Sequence, residues 1–396
     1  MISWNLKTRS CRPMGLDIGH NSLKMIQLVI NGGHISVFAA DKVRVDPNID
    51  GDTERRRSFV ISAIKRMLAG GNFRGRNVVS CLPNDGLKIT SLRLAEAESE
   101  QIERVLRKEV AQRFGLDPDR DAINYVFAGN VRQADEIKNE FILFAADSET
   151  IKRHIEMLGE AGLKPMGIDT VPCALFRSFE RSLRRQEDRE QTAVFIDVGS
   201  RFTTVVFGRG GEISFVKQIP IGGENFNRQI AAKLGVNITE AEMLRDRLRT
   251  ERGLWVSQSG SGRQAPLGSK RPQAQYSGVT GPRQKLDAST RQVMVDAVGV
   301  VAEELAREIS LCFRYYTVTF RGKRVERAVF AGGEAYENIL LNVLRRQLAV
   351  EIEVAQPLKG FDMSRRAGIN FDSDRRGLLC EWAVAVGLGL KDWDGQ

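Results

Sequence analysis

A short polar turn near the start of the chain carries residue types that bind phosphate and metal. Residues 14–28 read MGLDIGHNSLKMIQL: an apolar segment ends at Asp17, Gly19 follows, and a second apolar segment begins after Lys24. Gly19 has no side chain to keep a ligand away, so backbone N–H groups of the turn can point at one anion. Lys24 adds a positive charge, and the Asp17 carboxylate suits a hydrated Mg²⁺. Taken alone, this segment also fits an ordinary hairpin with a solvated tip.

A second segment repeats this plan. Residues 192–207, TAVFIDVGSRFTTVVF, contain an apolar strand pattern ending at Asp197, then Gly199, Ser200 and Thr203 before another apolar strand pattern. Two unrelated hairpins rarely share an Asp-x-Gly turn in matching places, whereas a duplicated domain produces it. Two such turns facing each other can hold a polyphosphate and its metal ion from both sides.

Length and charge limit the class of protein. A chain of 396 residues is too long for one small core, so two or more domains are expected. The net charge of +9 indicates an acidic partner surface, either nucleic acid or the anionic inner leaflet of a membrane. The sequence contains no helix-turn-helix, zinc-finger or aromatic RNA-binding signature, which makes nucleic acid the weaker choice.

Cysteine and histidine usage argues against several kinds of site. The five cysteines show no C-x-x-C spacing, and the three histidines lie far apart. This pattern argues against a disulfide framework, a zinc site and a Ser-His-Asp triad. No apolar segment reaches membrane-spanning length, and residues 1–12 lack the apolar core of a signal peptide. We therefore expect a cytoplasmic protein.

Apolar periodicity predicts the elements that position the first turn. The arginines at 55–57 fall on the solvated face of the first predicted helix. After the first hairpin we predict a strand at 35–45, a helix at 52–69, strands at 77–82 and 87–94, a helix at 102–114, strands at 123–130 and 140–147, and a helix at 148–162. The ββαββα-like block within this series has the length of a small inserted domain.

The second half of the chain returns to alternating strands and helices. Asp169 lies at a strand-to-helix junction, and the glycine pair at 332–333 follows a strand, where a flat ring or a phosphate can approach the backbone. We predict strand then helix at 164–181, a strand at 212–221 leading into Gly222 and Gly223, a helix from Asn225, a helix from the capping box at 239–242, a flexible basic loop at 253–284, a helix from Asp287, a strand at 325–330, a helix at 334–347 and a last helix at 378–390.

Four motifs in this order resemble the actin-like ATPase superfamily, and within it the PilM family of type IV pilus assembly proteins. MGLDIGHNSLK and FIDVGSRFTTVVF match the two phosphate turns, IDTVPCALF the first connecting segment, and VFAGGEAYENI the adenosine motif. The segments AGLKPMGIDTVPCAL and GGENFNRQIAAKLGVNITEAEMLR are similar to the PilM family in particular. The resemblance implies an α/β protein with the actin-like (ribonuclease H-like) ATPase fold, in which two duplicated lobes carry an inserted α+β subdomain of the type shared by FtsA and PilM.

The resemblance also implies domain limits. The first lobe would comprise residues 1–76 together with 164–190 and the C-terminal helix at 378–396. The inserted subdomain would comprise residues 77–163. The second lobe would comprise residues 191–377 and would include the flexible loop.

By resemblance, individual residues receive roles in binding ATP and Mg²⁺. Asp17 and Asp197 would hold the hydrated Mg²⁺. Asp169 stands where active ATPases of the superfamily place a water-orienting Glu or Gln, and its shorter side chain implies at most slow Mg²⁺-dependent hydrolysis. His20 and Asn21 depart from the small serines usual in the family's first turn. The residues that would border the nucleotide are Gly19, Asn21, Ser22, Lys24, Gly199, Ser200, Thr203, Gly222, Gly223, Arg245, Gly332, Gly333 and Glu334.

The same resemblance implies a scaffold at the cytoplasmic face of the inner membrane. The protein would bind the cytoplasmic tail of a PilN-like inner-membrane protein in a groove beside the inserted subdomain and link it to the pilus motor ATPase. Its contact with the membrane surface would be indirect, and nucleic acid would not be a partner.

Two alternatives stay open at this point. A small-molecule kinase of the same superfamily would need a substrate-side carboxylate, for which the sequence offers no further motif. A cytoskeletal or cell-division protein resembling FtsA or MreB is the other alternative. FtsA-like proteins usually end in an amphipathic membrane helix, whereas residues 391–396 are short and acidic.

Overall fold

The computed structural model describes residues 11–31, 34–46, 49, 53–70, 72–95, 101–133, 136–180, 191–251, 286–320, 325–363 and 379–391. The predicted basic loop at 253–284 lies outside the described residues. The strands are β1 (Met14–Ile18), β2 (Ser22–Asn31), β3 (His34–Arg44), β4 (Asn77–Cys81), β5 (Lys88–Ala95), β6 (Ala122–Gln133), β7 (Glu136–Ala146), β8 (Lys164–Asp169), β9 (Thr192–Val198), β10 (Thr203–Arg209), β11 (Glu212–Ile219), β12 (Val325–Ala331) and β13 (Glu351–Val354). The α-helices are α1 (Thr53–Ala69), α2 (Ile102–Phe114), α3 (Ser148–Glu160), α4 (Val171–Glu180), α5 (Gly223–Leu234), α6 (Ile238–Glu251), α7 (Ala288–Thr319), α8 (Asn338–Gln347) and α9 (Ala383–Gly389).

Two five-stranded sheets share one topology. The first has the strand order β3-β2-β1-β4-β8 and the second β11-β10-β9-β12-β13. In each sheet the central strand is antiparallel to the strand that follows it and parallel to the strand on its other side. The two hairpins with Asp-x-Gly turns therefore occupy equivalent places, which confirms the predicted duplication of lobes.

A third, antiparallel sheet of order β5-β7-β6 forms the inserted subdomain, against which α2 packs through Leu106 and Val110. The sequence predicts that the insertion covers residues 77–163. However, β4 pairs inside the first sheet, and α3 packs on the core of that sheet through Leu158. Local patterns show that a strand exists but not which sheet it joins. We therefore propose narrower limits for the insertion, residues 88–146.

Helix α4 lies between the two large sheets. Phe179 stacks on Phe195 of the second sheet with ring centroids 5.2 Å apart. Phe176 covers Gly208, where an added Cβ would lie 2.2 Å from the ring. On its other side α4 touches α9, where a Cβ at Gly387 would lie 1.8 Å from the carbonyl oxygen of Ala174. Helix α4 therefore contacts both lobes at van der Waals distance.

Three predicted helices need correction, and the last of them, predicted at 378–390, is a 3₁₀ turn (Cys380–Trp382) followed by α9. Helix α6 begins at Ile238, because the Asn237 side chain accepts a hydrogen bond from the N–H of Glu240 and so caps the helix ahead of the predicted capping box. The predicted helix at 334–347 is a 3₁₀ turn, Gly333–Tyr336, followed by α8. Strand β13 was not predicted, because its four residues carry too short a pattern to separate from a loop.

The buried His154 gives the fold a predictable acid sensitivity. Its Nε2 lies 3.2 Å from Ser80 Oγ between α3 and β4, and burial lowers its pKa to about 4. The unfolded chain binds this proton near pH 6.5, so stability is lost as the pH falls from 6.5 to 4, by about 3 kcal/mol at most. The pH dependence of urea unfolding should flatten over this window in His154→Asn but not in the exposed-site control His34→Asn. Parallel curves for the two variants would contradict this assignment.

Candidate functional site

The first turn (residues 19–22) and the second turn (residues 199–202) have the same internal geometry. The N–H of Gly19 donates to the carbonyl of Ser22 at 3.1 Å, and the N–H of Gly199 donates to the carbonyl of Phe202 at 3.0 Å. A Cβ at Gly19 would lie 2.9 Å from the carbonyl oxygen of Ser22. Glycine is therefore needed at this position of the tight turn.

The two turns contact each other across the lobes. Ser200 Oγ donates a hydrogen bond to Asn21 Oδ1 at 3.0 Å. His20 Nε2 of the first turn and Arg201 Nε of the second turn both reach Glu224 Oε1, at 2.9 and 2.8 Å. Burial alone would raise the pKa of Glu224, but the contacts with His20 and Arg201 outweigh it and lower that pKa to about 2. We call the space bordered by the two turns the cleft.

The two predicted metal-binding carboxylates lie close enough to influence each other. Asp17 Oδ2 accepts a hydrogen bond from Lys24 Nζ at 2.9 Å. Burial alone would lower the pKa of Lys24, but the adjacent Asp17 outweighs it and raises that pKa above its ordinary value. Burial and the negative charge of Asp17 raise the pKa of Asp197 to about 6, with Lys24 opposing. The folded protein therefore holds two carboxylates of like charge, Asp17 and Asp197, near each other at the cleft.

A second lysine, which no sequence motif marks as a site residue, lies beside Lys24. Strand pairing places Lys42 directly opposite Lys24. Lys42 Nζ contacts Glu381 Oε1 at 3.1 Å, and the hydroxyl of Tyr336 donates to Glu381 Oε2 at 2.6 Å. Burial lowers the pKa of Lys42 and Lys24 lowers it further, although Glu381 opposes both. Glu381 thus connects β3 of the first lobe to the 3₁₀ turn Gly333–Tyr336 of the second lobe.

Residues of two glycine pairs, the first at 222–223 and the second at 332–333, pack against the second turn. Gly332 has φ +89°, and a Cβ there would lie 2.4 Å from the Val198 carbonyl oxygen and 2.7 Å from Asp197 Oδ1. A Cβ at Gly222 would lie 2.5 Å from the carbonyl oxygen of Ser200. The N–H of Gly223 donates to the carbonyl of Gly199 at 2.9 Å. Gly222 and Gly223 therefore contact the backbone of the second turn and stabilise it.

The members of the second glycine pair differ in their surroundings. Gly332 is buried, whereas Gly333 is exposed, and no atom lies within 4 Å of a Cβ built on Gly333. Only the first glycine of the pair is required by close packing.

Arg245 and Glu334 lie side by side beneath the first glycine pair. The Arg245 guanidinium pairs with Glu334 and Glu337, donates to the carbonyl of Gly223 at 3.1 Å, and stacks 4.4 Å above the Phe226 ring. Only 2% of Arg245 is exposed, so its contacts in this structure are with protein groups. The cluster joins α6 to the glycine pairs.

Two other predicted residues are engaged by neighbouring groups. Thr203 is fully buried, and its hydroxyl donates to the carbonyl of Ile221 at 2.7 Å. Asp169 Oδ2 lies 2.9 Å from Arg177 Nη1 and 3.4 Å from Lys391 Nζ, while Asp169 Oδ1 accepts a hydrogen bond from the N–H of Thr170. Strand pairing sets Asp169 at the same sheet edge as Asp17, two strands away.

Arg56 anchors the first turn, although the arginine run at 55–57 was interpreted as solvated. Its Nη1 and Nη2 donate to the carbonyls of His20 and Gly19, each at 3.0 Å. Helical periodicity placed Arg56 on the polar face correctly but carries no information about which distant loop that face meets.

Comparison with known proteins identifies the family. The model of the type IV pilus assembly protein PilM matches residues 15–250, more than half of the chain. The chain belongs to the PilM family. Among solved structures, this PilM-family chain is similar to a chain of the PilM-PilN type IV pilus biogenesis complex, with a TM-score of 0.70 and 19% identity over 96% of this chain and 98% of that one.

Two further proteins are similar to this chain, one in structure and one in sequence. The ethanolamine utilization protein EutJ from Carboxydothermus hydrogenoformans has a TM-score of 0.50 and 12% identity, covering 96% of this chain and 89% of that one. The cell division protein FtsA of Streptococcus pneumoniae is 22% identical over an alignment of 254 positions, which covers 58% of this chain. The matched part is 54% of FtsA, so the PilM-family chain spans about half the length of this curated relative. The predicted actin-like ATPase fold is confirmed.

The described residues of this PilM-family chain contain neither a membrane-spanning helix nor a cluster of three metal-binding side chains. No helix among them combines the length and apolar character needed to span a bilayer. Nor do three or more His, Cys, Asp or Glu side chains within that part of the chain form a group that could hold a metal ion by themselves.

Proposed function

We propose that this PilM-family chain is an ATP-binding scaffold of type IV pilus assembly at the cytoplasmic face of the inner membrane. It binds the cytoplasmic tail of a PilN-like inner-membrane protein and links it to the pilus motor ATPase. The observation that carries the nucleotide part of this proposal is the contact between sister turns of the two lobes, made by Ser200 and Asn21 at 3.0 Å.

The charges at the cleft fit a nucleotide that arrives with Mg²⁺. Asp17 and Asp197 repel each other, and a divalent cation between them would offset that repulsion. Mg²⁺ keeps several waters and is typically held by one or two carboxylates plus phosphate oxygens, so two aspartates are enough. When bound with Mg²⁺, ATP supplies a triphosphate that both turns can contact at once.

The proposed nucleotide-binding residues have two kinds of role, according to whether their side chains are exposed or buried. Asn21 is exposed and Ser22 and Ser200 are partly exposed, so these three can face phosphate oxygens. Gly222, Gly223, Thr203 and the Arg245–Glu334 pair would act by holding the turns and glycine pairs in place. We propose that hydrolysis is slow, because the Asp169 carboxylate is already neutralised by cationic neighbours and is short for a water-orienting group.

A cavity beside the inserted subdomain supports the partner part of the proposal. It has a volume of about 400 Å³ and is bordered by β6 of the insertion, α4, and the tip of the β10–β11 hairpin. Its lining residues are Val126, Phe127, Cys173, Phe176, Arg177, Glu180, Gly211, Glu212 and Ile213. Three parts of the molecule thus meet at one site of a size suited to a few peptide side chains.

The chemistry of the cavity suits an apolar peptide segment with a neighbouring cation. Phe127 is 42% exposed, a large apolar surface to leave in water. Glu180 and Glu212 give the lining an acidic component. Cytoplasmic segments next to a membrane span are enriched in Lys and Arg. We therefore place the PilN-like tail in this cavity.

Binding of a fluorescent peptide with the sequence of the PilN-like cytoplasmic tail tests this placement. We expect Phe127→Ala to weaken binding about tenfold, because it removes the exposed aromatic surface of the cavity. Ile137→Ala is the matched control, since Ile137 is 66% exposed on the same sheet but does not line the cavity. Equal affinities for the two variants would place the tail elsewhere, and no binding to the unmodified chain would exclude the proposed partner.

A further inference from the structure

The long helix α7 has exposed apolar residues on the face opposite to the one it buries. The buried face packs into the core of the second lobe and includes Met294, Val298, Val301, Leu305, Ile309 and Tyr316. On the other face, Val300, Leu311 and Val318 are 53%, 48% and 80% exposed. A helix on the surface of a lobe needs only one apolar face to pack on its core. The exposed residues therefore contribute nothing to the packing of α7 in the lobe.

These apolar residues belong to a regular row of exposed side chains, spaced alternately by four and three residues. We call this row the α7 seam, and its members are Val300, Glu304, Arg307, Leu311, Arg314 and Val318. Alternation of four and three residues keeps side chains on one line of a helix and is the spacing by which two helices pack along a coiled coil. The α7 seam runs for about 27 Å along the helix axis. It therefore has the geometry of a surface for another helix.

The charged members of the α7 seam are not engaged within the described part of the chain. Glu304, Arg307 and Arg314 are exposed, and none of the three forms an ion pair with another described residue. Beside the middle of the seam, the hydroxyl of Ser310 donates to the carbonyl of Ala306 at 2.8 Å, which leaves a small side chain whose donor is already used. The charges of the seam are thus free to pair with another molecule, and its middle allows a close approach.

The α7 seam is complementary to itself when a second copy runs in the opposite direction. Antiparallel alignment about the middle of the seam places Val300 opposite Val318 and Glu304 opposite Arg314 of the second copy. It also places Arg307 opposite Leu311, where the apolar stem of the arginine can cover the leucine while its guanidinium stays in water. Parallel alignment would instead place each charged residue opposite its own copy, so like charges would repel. The order of residues therefore favours the antiparallel pair.

We propose that the α7 seam is the interface of a two-fold symmetric dimer of this chain. Each copy contributes the same surface, and every contact between unlike residues forms twice. The two Glu304–Arg314 pairs set the direction and register of the helices, and the two Val300–Val318 pairs bury apolar surface at the ends. The proposal does not depend on the function proposed above, since neither nucleotide nor tail peptide takes part in the contact.

Sedimentation velocity of the full chain over a series of concentrations tests the dimer by exchanging its charges. We expect the unmodified chain to dimerise with a dissociation constant on the order of 10 µM, because the interface is small and partly polar. Arg314→Glu places two carboxylates opposite each other at two points of the dimer, so dimerisation should weaken about tenfold or more. Glu304→Arg should weaken it similarly by opposing two arginines. The double variant Glu304→Arg with Arg314→Glu restores both pairs and should return to within about threefold of the unmodified chain.

Lys108→Glu is the matched control for the change of net charge. Lys108 is exposed on α2 of the inserted subdomain and lies outside the α7 seam, and its substitution changes the net charge as much as Arg314→Glu does. Its dimerisation should equal that of the unmodified chain. Val318→Asp tests the apolar part of the seam without reversing a charge pair, and it should also weaken dimerisation about tenfold.

Three results would overturn the proposal. The unmodified chain could stay monomeric at every concentration, or it could form a dimer that Arg314→Glu does not weaken, which would place the contact elsewhere. The double variant could stay as weak as the single ones, which would exclude the antiparallel pairing of Glu304 with Arg314. All substituted side chains are exposed, so the circular dichroism spectra should match that of the unmodified chain. If one single variant does not fold, the other single variant and the double variant decide in the same way.

Discussion

ATP with Mg²⁺ is expected to raise the melting temperature of this chain by roughly 5 °C, and Asp17→Asn or Asp197→Asn to remove most of that rise. At about 100 times the dissociation constant, a ligand adds roughly 2.7 kcal/mol by mass action, which accounts for a shift of this size. Each substitution removes a charge that would hold the Mg²⁺. Thermal melts at fixed Mg²⁺, with and without ATP, measure the effect.

The comparison must be made within each variant. Asp17→Asn leaves Lys24 buried beside a neutral partner, so its melting temperature without ATP will fall as well. The difference made by ATP is the relevant quantity. Asp119→Asn, at an exposed carboxylate in the inserted subdomain, is the control and keeps the full shift. An undiminished shift in either cleft variant would remove that aspartate from the nucleotide site.

Gly332→Ala is expected to be the most damaging single-atom addition at the cleft. The new Cβ would lie 2.4 Å from the Val198 carbonyl oxygen and 2.7 Å from Asp197 Oδ1. The backbone that carries it has φ +89°. Positive φ alone costs about 1 kcal/mol for alanine, and the backbone contact cannot relax by moving a flexible side chain. We expect a loss of about 2 to 4 kcal/mol in unfolding free energy together with loss of the ATP-dependent shift.

Gly333→Ala provides a matched control in the neighbouring position. A Cβ there meets nothing within 4 Å, so the unfolding free energy should change by less than about 0.5 kcal/mol. Urea unfolding of both variants measures the contrast. If the two variants are equally stable, the tight approach of the glycine pair to the second turn is not a feature of the folded protein.

The features predicted correctly from sequence are those with a local pattern. The Asp-x-Gly spacing at 17–19 recurs at 197–199, and this recurrence was enough to predict two sister hairpins and duplicated lobes. The tight turns follow because Gly19 and Gly199 sit where a side chain would meet backbone. Asp287 was likewise predicted as a helix start, and its side chain accepts the N–H of Thr290.

The features missed from sequence depend on contacts between distant segments. Nothing near Arg56 in the sequence indicates that it donates hydrogen bonds to carbonyls about 36 residues earlier. Likewise, nothing near Lys42 indicates that it pairs with Glu381. The assignment of β4 to the insertion failed for the same reason, since strand pairing is a long-range property. Asn237 and Thr239 are both good helix caps, and only the path of the chain selects the first.

The most direct measurement of the shared site is the affinity for ATP with Mg²⁺ in a double-mutant cycle of Asp17→Asn and Asp197→Asn, determined by titration calorimetry. If both carboxylates hold one ion, the double variant loses little more affinity than either single variant. If the two losses add in free energy, or if one single variant binds as tightly as the unmodified chain, the two turns do not close on the same metal and nucleotide.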